Sequence, residues 1–303
     1  MRYSILFFIP LLLIFSSCSE SDSFPIGNSK PLLKIGLIAD PQYADKPNNG
    51  NRYYRESLWK LEEAIEVFNS SDVDIIQTLG DVIDTNWNSF DSILPIYQNI
   101  RGEIENFHIL GNRDFNIAPM HYVNLLDRLS MPEYYYSYVR DNWRFIALDA
   151  TDYSYFSNSL HNHDINQVDA YFENISGNPN HQFWNSAIGK EQQDWLIEEL
   201  DRASLLNQKV ILYSHCPLKA INNVGNLWNN FEIIDIIENY SNVVAYFNGH
   251  IHNRDYVFEN GIHYVTIEAM VNTLINSYAI LEIYEDHVLI KGAGEQQSIL
   301  IDL

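Results

Sequence analysis

The chain has 303 residues, 46% of them apolar and 14% aromatic. That length suits one large α/β domain with a substantial core. Its 18 Lys+Arg against 40 Asp+Glu give a net charge of −22, a field that repels long polyanions and excludes nucleic acid as the expected partner. Small phosphate compounds stay open, because bound cations reverse the local sign.

The first element is not part of the fold. Met1-Arg2 is followed by an apolar run from Ile5 to Phe15 and then "FSSC", Phe15 to Cys18. The run is too short to span a bilayer and has the shape of a signal peptide. Its Ser-Ser-Cys ending resembles the lipobox of bacterial lipoproteins, which implies cleavage that leaves Cys18 as a lipidated N-terminus. An ordinary secretory signal with an incidental cysteine is the other reading. Residues 1–18 are therefore expected to be a signal peptide, and residues 19–30, rich in Ser, Asp, Pro and Gly, a flexible tether. The expected location is the bacterial cell envelope, lipid-anchored to the membrane and facing the periplasm or the cell surface. Only two cysteines exist; with Cys18 given to the lipid, Cys216 has no partner for an internal disulfide.

Residues 31–303 read as one domain. "LLKIGLIA" predicts a buried strand, with Asp40 just past it. "RESLWKLEEAIEVFN" places Leu58, Leu61, Ile65 and Phe68 on one helical face. "DVDIIQTLGD" predicts a second strand, Ser89 to Ile100 a helix, "FHILGN" a third strand and "APMHYVNLLDRL" a helix. "YYYSYV" and "WRFIALDA" follow as two strands. Residues 151–189, rich in Asn, His, Tyr and Ser, show little periodicity and read as a long insertion on the active-site side. "KEQQDWLIEELDRA" restores a helix, "KVILYSH" is a strand, residues 229–240 a helix, and "VVAYFNGH" a strand. From Ile262 onward three strands are expected, with "YEDH" as a hairpin turn.

This alternation implies layered sheets and helices, with ligands gathering outside the carboxyl ends of strands. The polar residues at those ends are Asp40 and Gln42, Asp81 and Asp84, Asn112, His215, and His250 with His252. Singly each is weak, since Gly-Asp after a strand is usually a turn or cap. As an ordered set they supply carboxylate, amide oxygen and imidazole, which suit two neighbouring divalent metals.

The order Asp-x-Gln, Gly-Asp-x-x-Asp, Gly-Asn-Arg-Asp, Ser-His, Gly-His-x-His resembles the calcineurin-like metallophosphoesterases. Within them, "IADPQYAD", "TLGDVID", "FIALDATDYS", "GKEQQDWLIEEL" and "GHIHNRDY" look like the manganese-dependent ADP-ribose/CDP-alcohol diphosphatases, which carry Gln in the first motif. The resemblance runs from about Lys34 to near Gly292. It implies an α/β fold of two packed mixed β-sheets flanked by helices. It implies that Asp40, Gln42, Asp81 and His252 hold one metal, and that Asp81, Asn112, His215 and His250 hold a second about 3.5–4 Å away, with Asp81 bridging. Asp84 would orient a ligand or water, and a hydroxide bridging the metals would cleave the diphosphate bond of a nucleotide conjugate. The two amide oxygens, from Gln42 and Asn112, favour Mn²⁺ over Zn²⁺.

Arg113 is the departure, standing where the family pattern has histidine. Arginine cannot donate a proton at useful pH, yet its planar fork pairs with phosphate oxygens. An alkoxide leaves badly without a proton, whereas a nucleoside phosphate leaves readily, so the change points to diphosphate linkages. The opposing reading is a salt bridge between Arg113 and Asp114 in a site that has lost its chemistry; a broad phosphodiesterase or phosphomonoesterase is a further alternative. Tyr43 either stacks on a nucleobase or packs in the core. Tyr153, His161, His163 and Trp184 are placed over the site, with the "HNH" histidines read as solvated. "NVGNLWNN" is expected to border the pocket, and Cys216 to be a packing residue.

Overall fold

The computed structural model describes residues 29–303; the signal peptide, Cys18 and nearly all of the tether lie outside them. Two six-stranded mixed sheets form the frame. In one, β1 (Leu33–Ile38), β2 (Ile75–Thr78) and β3 (Glu105–His108) run parallel. β10 (Ser277–Ile283) pairs antiparallel with β1, then β11 (His287–Gly294) and β12 (Ile299–Asp302) complete the sheet. In the other, β5 (Trp143–Ala147), β6 (Lys209–Tyr213), β7 (Val243–Asn248) and β9 (Ile262–Thr266) run parallel. β4 (Tyr136–Arg140) and β8 (Asp255–Glu259) close its two edges antiparallel. The expected pair of packed mixed sheets is what forms.

Strand alternation explains the layers. Phe145, Ala147, Ile211, Tyr213, Ala245 and Phe247 join Ile35, Leu37 and Leu281 in the core between the sheets. Their neighbours Ile146, Leu212 and Tyr246 face the other way, onto α6 (Lys190–Leu205) and α7 (Asn230–Ile237). Both faces are thus apolar, which is why these strands read as continuous hydrophobic runs. On the first sheet, α1 (Ser57–Ser70) buries Leu61, Ala64, Ile65 and Phe68. Leu58 is only partly buried, and Lys60 takes a buried place beside Leu61. Its ammonium donates to the Met270 carbonyl at 2.7 Å, and burial lowers it to about 8.

Several predicted elements differ. α2 (Ser89–Tyr97) stops short of Ile100, with Pro95 in its last turn. "APMHYVNLLDRL" splits into a 3₁₀ turn, Pro119–Asn124, and the short α3 (Leu125–Arg128), because Asn124 leaves helical backbone at ψ 1°. The region 151–189 is not all loop: it holds α4 (Asn158–His161) and α5 (Ile165–Asn174). α5 packs Val168 and Phe172 against Trp228, too few apolar positions to register as a period. Four strands, not three, follow Ile262, and β8 was missed because it is largely exposed. No helix among the described residues is long and apolar enough to cross a membrane.

Candidate metal centre

The parallel strands β1, β2, β3, β6 and β7 all end on one side of the molecule. The loops that leave them are tied by backbone bonds: Gln42 N donates to Asp81 O at 2.8 Å, and Gly249 N to His215 O at 3.1 Å. Asp40, Gln42, Asp81, His250 and His252 all adopt positive φ, between 45° and 72°. Left-handed backbone at non-glycine residues is costly, on the order of 1–3 kcal/mol each, and clusters where function fixes it. Two glycines make room. A Cβ at Gly80, itself at φ +87°, would lie 2.7 Å from His215 Nδ1, and one at Gly111 only 2.2 Å from Asp81 Oδ1.

Two ligand groups share Asp81. Around one of its oxygens, Asp81 Oδ2 accepts from Gln42 Nε2 at 2.9 Å, and Gln42 Nε2 meets His252 Nε2 at 2.7 Å. One ligand atom each from Asp40, Asp81 and His252 falls within 4.8 Å of the others. Around the other oxygen, Asp81 Oδ1 is 3.5 Å from His215 Nε2, which lies 3.3 Å from Asn112 Oδ1 and 3.1 Å from His250 Nδ1. Each imidazole gives its far nitrogen to an oxygen: His215 Nδ1 to Leu79 O at 2.8 Å, His252 Nδ1 to Asn272 Oδ1 at 2.8 Å, and His250 Nε2 to Asn185 Oδ1 at 2.8 Å. Those bonds hold the rings by their far nitrogens and turn the near nitrogens toward the cluster around Asp81, where each can offer a lone pair once a metal displaces any proton there.

The charges show what the cluster suits. Burial would lower His215, but Asp81 and Asp40 outweigh it and raise the imidazole to about 9. Burial would raise Asp81, but His215 and Arg113 outweigh it and bring the carboxyl down to about 2. Burial raises Asp40, and burial with the neighbouring His215 charge holds His250 well below its ordinary value. The proton on His215 thus stands where a cation fits. Gln42 Oε1 is buried without a hydrogen-bond partner. Turning that amide over places its oxygen among Asp40, Asp81 and His252, an oxygen-rich arrangement that a cation stabilises. Two carboxylates, two amide oxygens and three imidazoles match divalent metals.

Arg113 does not pair with Asp114. Asp114 accepts from four backbone N–H groups: Gly111 at 2.9 Å, Asp81 at 3.0 Å, Val82 at 2.9 Å and Ile83 at 3.3 Å. It ties the two central loops together, while burial and the Asp81 charge raise it to about 7. Among the described residues Arg113 forms no salt bridge. It lines a cavity of about 320 Å³ together with Arg52, Asp81, Asn112, Trp184, His250 and His252.

Other expected residues lie elsewhere. Tyr43 is 7% exposed in the main core and borders a separate cavity beside Trp87 and His121. Asp84 is buried and paired with Lys46; among the described residues no hydrogen bond joins it to the ligand cluster. Val224 and Gly225 of "NVGNLWNN" do line the cavity. Cys216 is free and buried, its thiol pushed up by burial, as a packing residue should be. Arg52, Asn185 and Asn272 were missed, since no motif flags them.

Comparison with known proteins agrees with this geometry. Residues 33–254 match the family described as Metallophos, calcineurin-like phosphoesterase. A manganese-dependent ADP-ribose/CDP-alcohol diphosphatase of Oryza sativa is 30% identical over 88% of this chain and 92% of its own length. The human protein of the same name is 29% identical over 88% and 92% respectively. A crystal structure of a dimetal phosphatase from Danio rerio superposes with a TM-score of 0.82, covering 90% of this chain and 99% of that one at 23% identity. The chain belongs to the calcineurin-like phosphoesterases.

Proposed function

We propose that the protein is a metal-dependent hydrolase that cleaves the diphosphate bond of small nucleotide conjugates, ADP-ribose or CDP-alcohols among them. The observation that carries this is the seven-residue donor set converging on Asp81 beside Arg113, which is unpaired among the described residues. The names of the Oryza and human relatives support the substrate class.

Asp40, Gln42, Asp81 and His252 would hold one ion, and Asp81, Asn112, His215 and His250 the other. The opposed directions of Asp81's two oxygens suit a bridging role. Two bound ions supply an activated water and neutralise charge growing on phosphate oxygens. The oxygen-rich set, with two amides, suits Mn²⁺. Arg113 and Arg52 then hold phosphate oxygens from the cavity wall through charge-assisted bonds. Neither donates a proton, which the nucleoside phosphate leaving group does not require. Trp184, 47% exposed at the rim, offers the aromatic surface for a base that buried Tyr43 does not.

The envelope placement belongs to the same proposal and rests on "FSSC". It makes the enzyme a scavenger of nucleotides and phosphate outside the cytoplasm. A Cys18→Ser chain should leave the membrane fraction; one that stays there overturns the anchor. The activity is tested by comparing kcat/KM on ADP-ribose, CDP-choline, cyclic AMP and an aryl phosphate with Mn²⁺. Preference for the two diphosphates supports the reading. A faster aryl phosphate or cyclic AMP reaction overturns it in favour of a broad esterase.

A further inference from the structure

A second cluster of carboxylates and imidazoles lies at and within the start of the insertion, outside the cavity. The sequence suggests that the "HNH" histidines are solvated. Instead Asp152, His161 and His163 each bring one ligand atom within 4.8 Å of the others. Asp149 joins them, its Oδ2 being 3.4 Å from His161 Nε2, while Asp152 Oδ1 is 2.8 Å from His163 Nε2.

The two carboxylates are held from behind. Asp149 Oδ1 accepts from Thr151 N and Oγ1 at 2.7 and 2.6 Å. Asp152 Oδ2 accepts from Gly189 N at 2.8 Å and Gln192 Nε2 at 3.3 Å. Each therefore turns its remaining oxygen toward an imidazole. The imidazoles are fixed too: His163 stacks on Tyr153 at 3.8 Å between centroids, and His161 meets the edge of Tyr134 at 5.0 Å. His161 is 10% exposed, and its Nε2 is buried without a hydrogen-bond partner although a carboxylate oxygen faces it. An orphaned buried nitrogen is costly, and a cation between it and Asp149 removes that cost.

We propose that Asp149, Asp152, His161 and His163 form a third metal site that takes one four-coordinate Zn²⁺. Two imidazoles and two carboxylates supply four donors of types that Zn²⁺ takes, enough to close a tetrahedral site, unlike the oxygen-rich central pair. The carboxylates sit just past β5 and the histidines at the end of α4 and beyond, and Asp152 is bonded to the N-terminus of α6 through Gly189. The ion ties the start and middle of the insertion to its end. That end carries Asn185, which holds the His250 imidazole at 2.8 Å, so the third ion steadies the central site without touching substrate.

The test counts metal and does not depend on turnover. The full chain, stripped of metal, is titrated with Co²⁺ as a spectroscopic stand-in for Zn²⁺. Three equivalents should bind, one of them with the intense visible bands of a four-coordinate site. His161→Ala/His163→Ala should lose one equivalent and those bands. Asp152→Asn, which keeps the side-chain shape, should lose them as well, so the test survives if the double variant fails to fold. Asp81→Ala should keep them. Two equivalents in the unaltered chain, or bands that vanish in Asp81→Ala and persist in Asp152→Asn, overturn the site.

Discussion

Replacing Arg113 by alanine isolates what a guanidinium does where the family pattern has histidine. Its side chain borders the cavity beside Asn112 and His250, unpaired among the described residues. Its charge reaches the centre, helping to lower both Asp81 and His250. A hydrogen bond to a charged group contributes about 1.5–3 kcal/mol, so Arg113→Ala should reduce kcat/KM on ADP-ribose about ten- to hundred-fold. Stability should move by less than about 0.5 kcal/mol, because the Gly111–Asp114 turn is held by Asp114 and by the Arg113 backbone N–H donating to Asp81 Oδ1 at 2.7 Å. Arg113→Lys should recover part of the loss as a point charge. Steady-state kinetics with Mn²⁺ and a thermal melt on the same samples decide the matter. Unchanged kcat/KM in Arg113→Ala would refute the phosphate clamp; a collapsed melt would refute the claim that only backbone and Asp114 hold the turn.

Three other outcomes follow from the same contacts. Asp114→Ala leaves four buried N–H groups without an acceptor and should cost on the order of 4 kcal/mol or more in denaturant unfolding, a loss under about 1 kcal/mol being the contrary result. Asn272→Ala frees the His252 ring that its oxygen orients at 2.8 Å and should weaken metal binding about 10–100-fold by calorimetry. Metal uptake should strengthen with pH: below the raised His215 value of about 9 an incoming ion must displace that proton. Apparent affinity should therefore climb about tenfold per pH unit on the way up, and a flat profile between about pH 6 and about pH 8 contradicts the assignment.

The buried parallel strands were legible because each is apolar on both faces, as in "KVILY" and "VVAYF". β8 was not, because an edge strand with mostly exposed side chains carries no such run. The residues that converge on Asp81 stood out because they sit within a few positions of strand ends, where chain order keeps the motifs intact. Their supports were not. Asn185 and Asn272 reach the imidazoles from loops far along the chain, and an asparagine in an Asn-rich chain stands out from nothing. The carboxylates beside "HNH" lie before it in sequence and meet it only because α4 and the chain after it return His161 to Asp149 and His163 to Asp152. Arg113 was legible as an anomaly, but only Asp114's four backbone bonds show that the two side chains serve different ends.

The central claim is that the residues around Asp81 make a metal-dependent diphosphatase. Its most direct test uses the full chain freed of metal, then given Mn²⁺ and ADP-ribose, with products separated by chromatography beside Asp81→Ala. The account predicts AMP and ribose 5-phosphate in equal amounts, dependent on Mn²⁺ and absent in Asp81→Ala. Mn²⁺ bound with no product, or product that persists in Asp81→Ala, would contradict it.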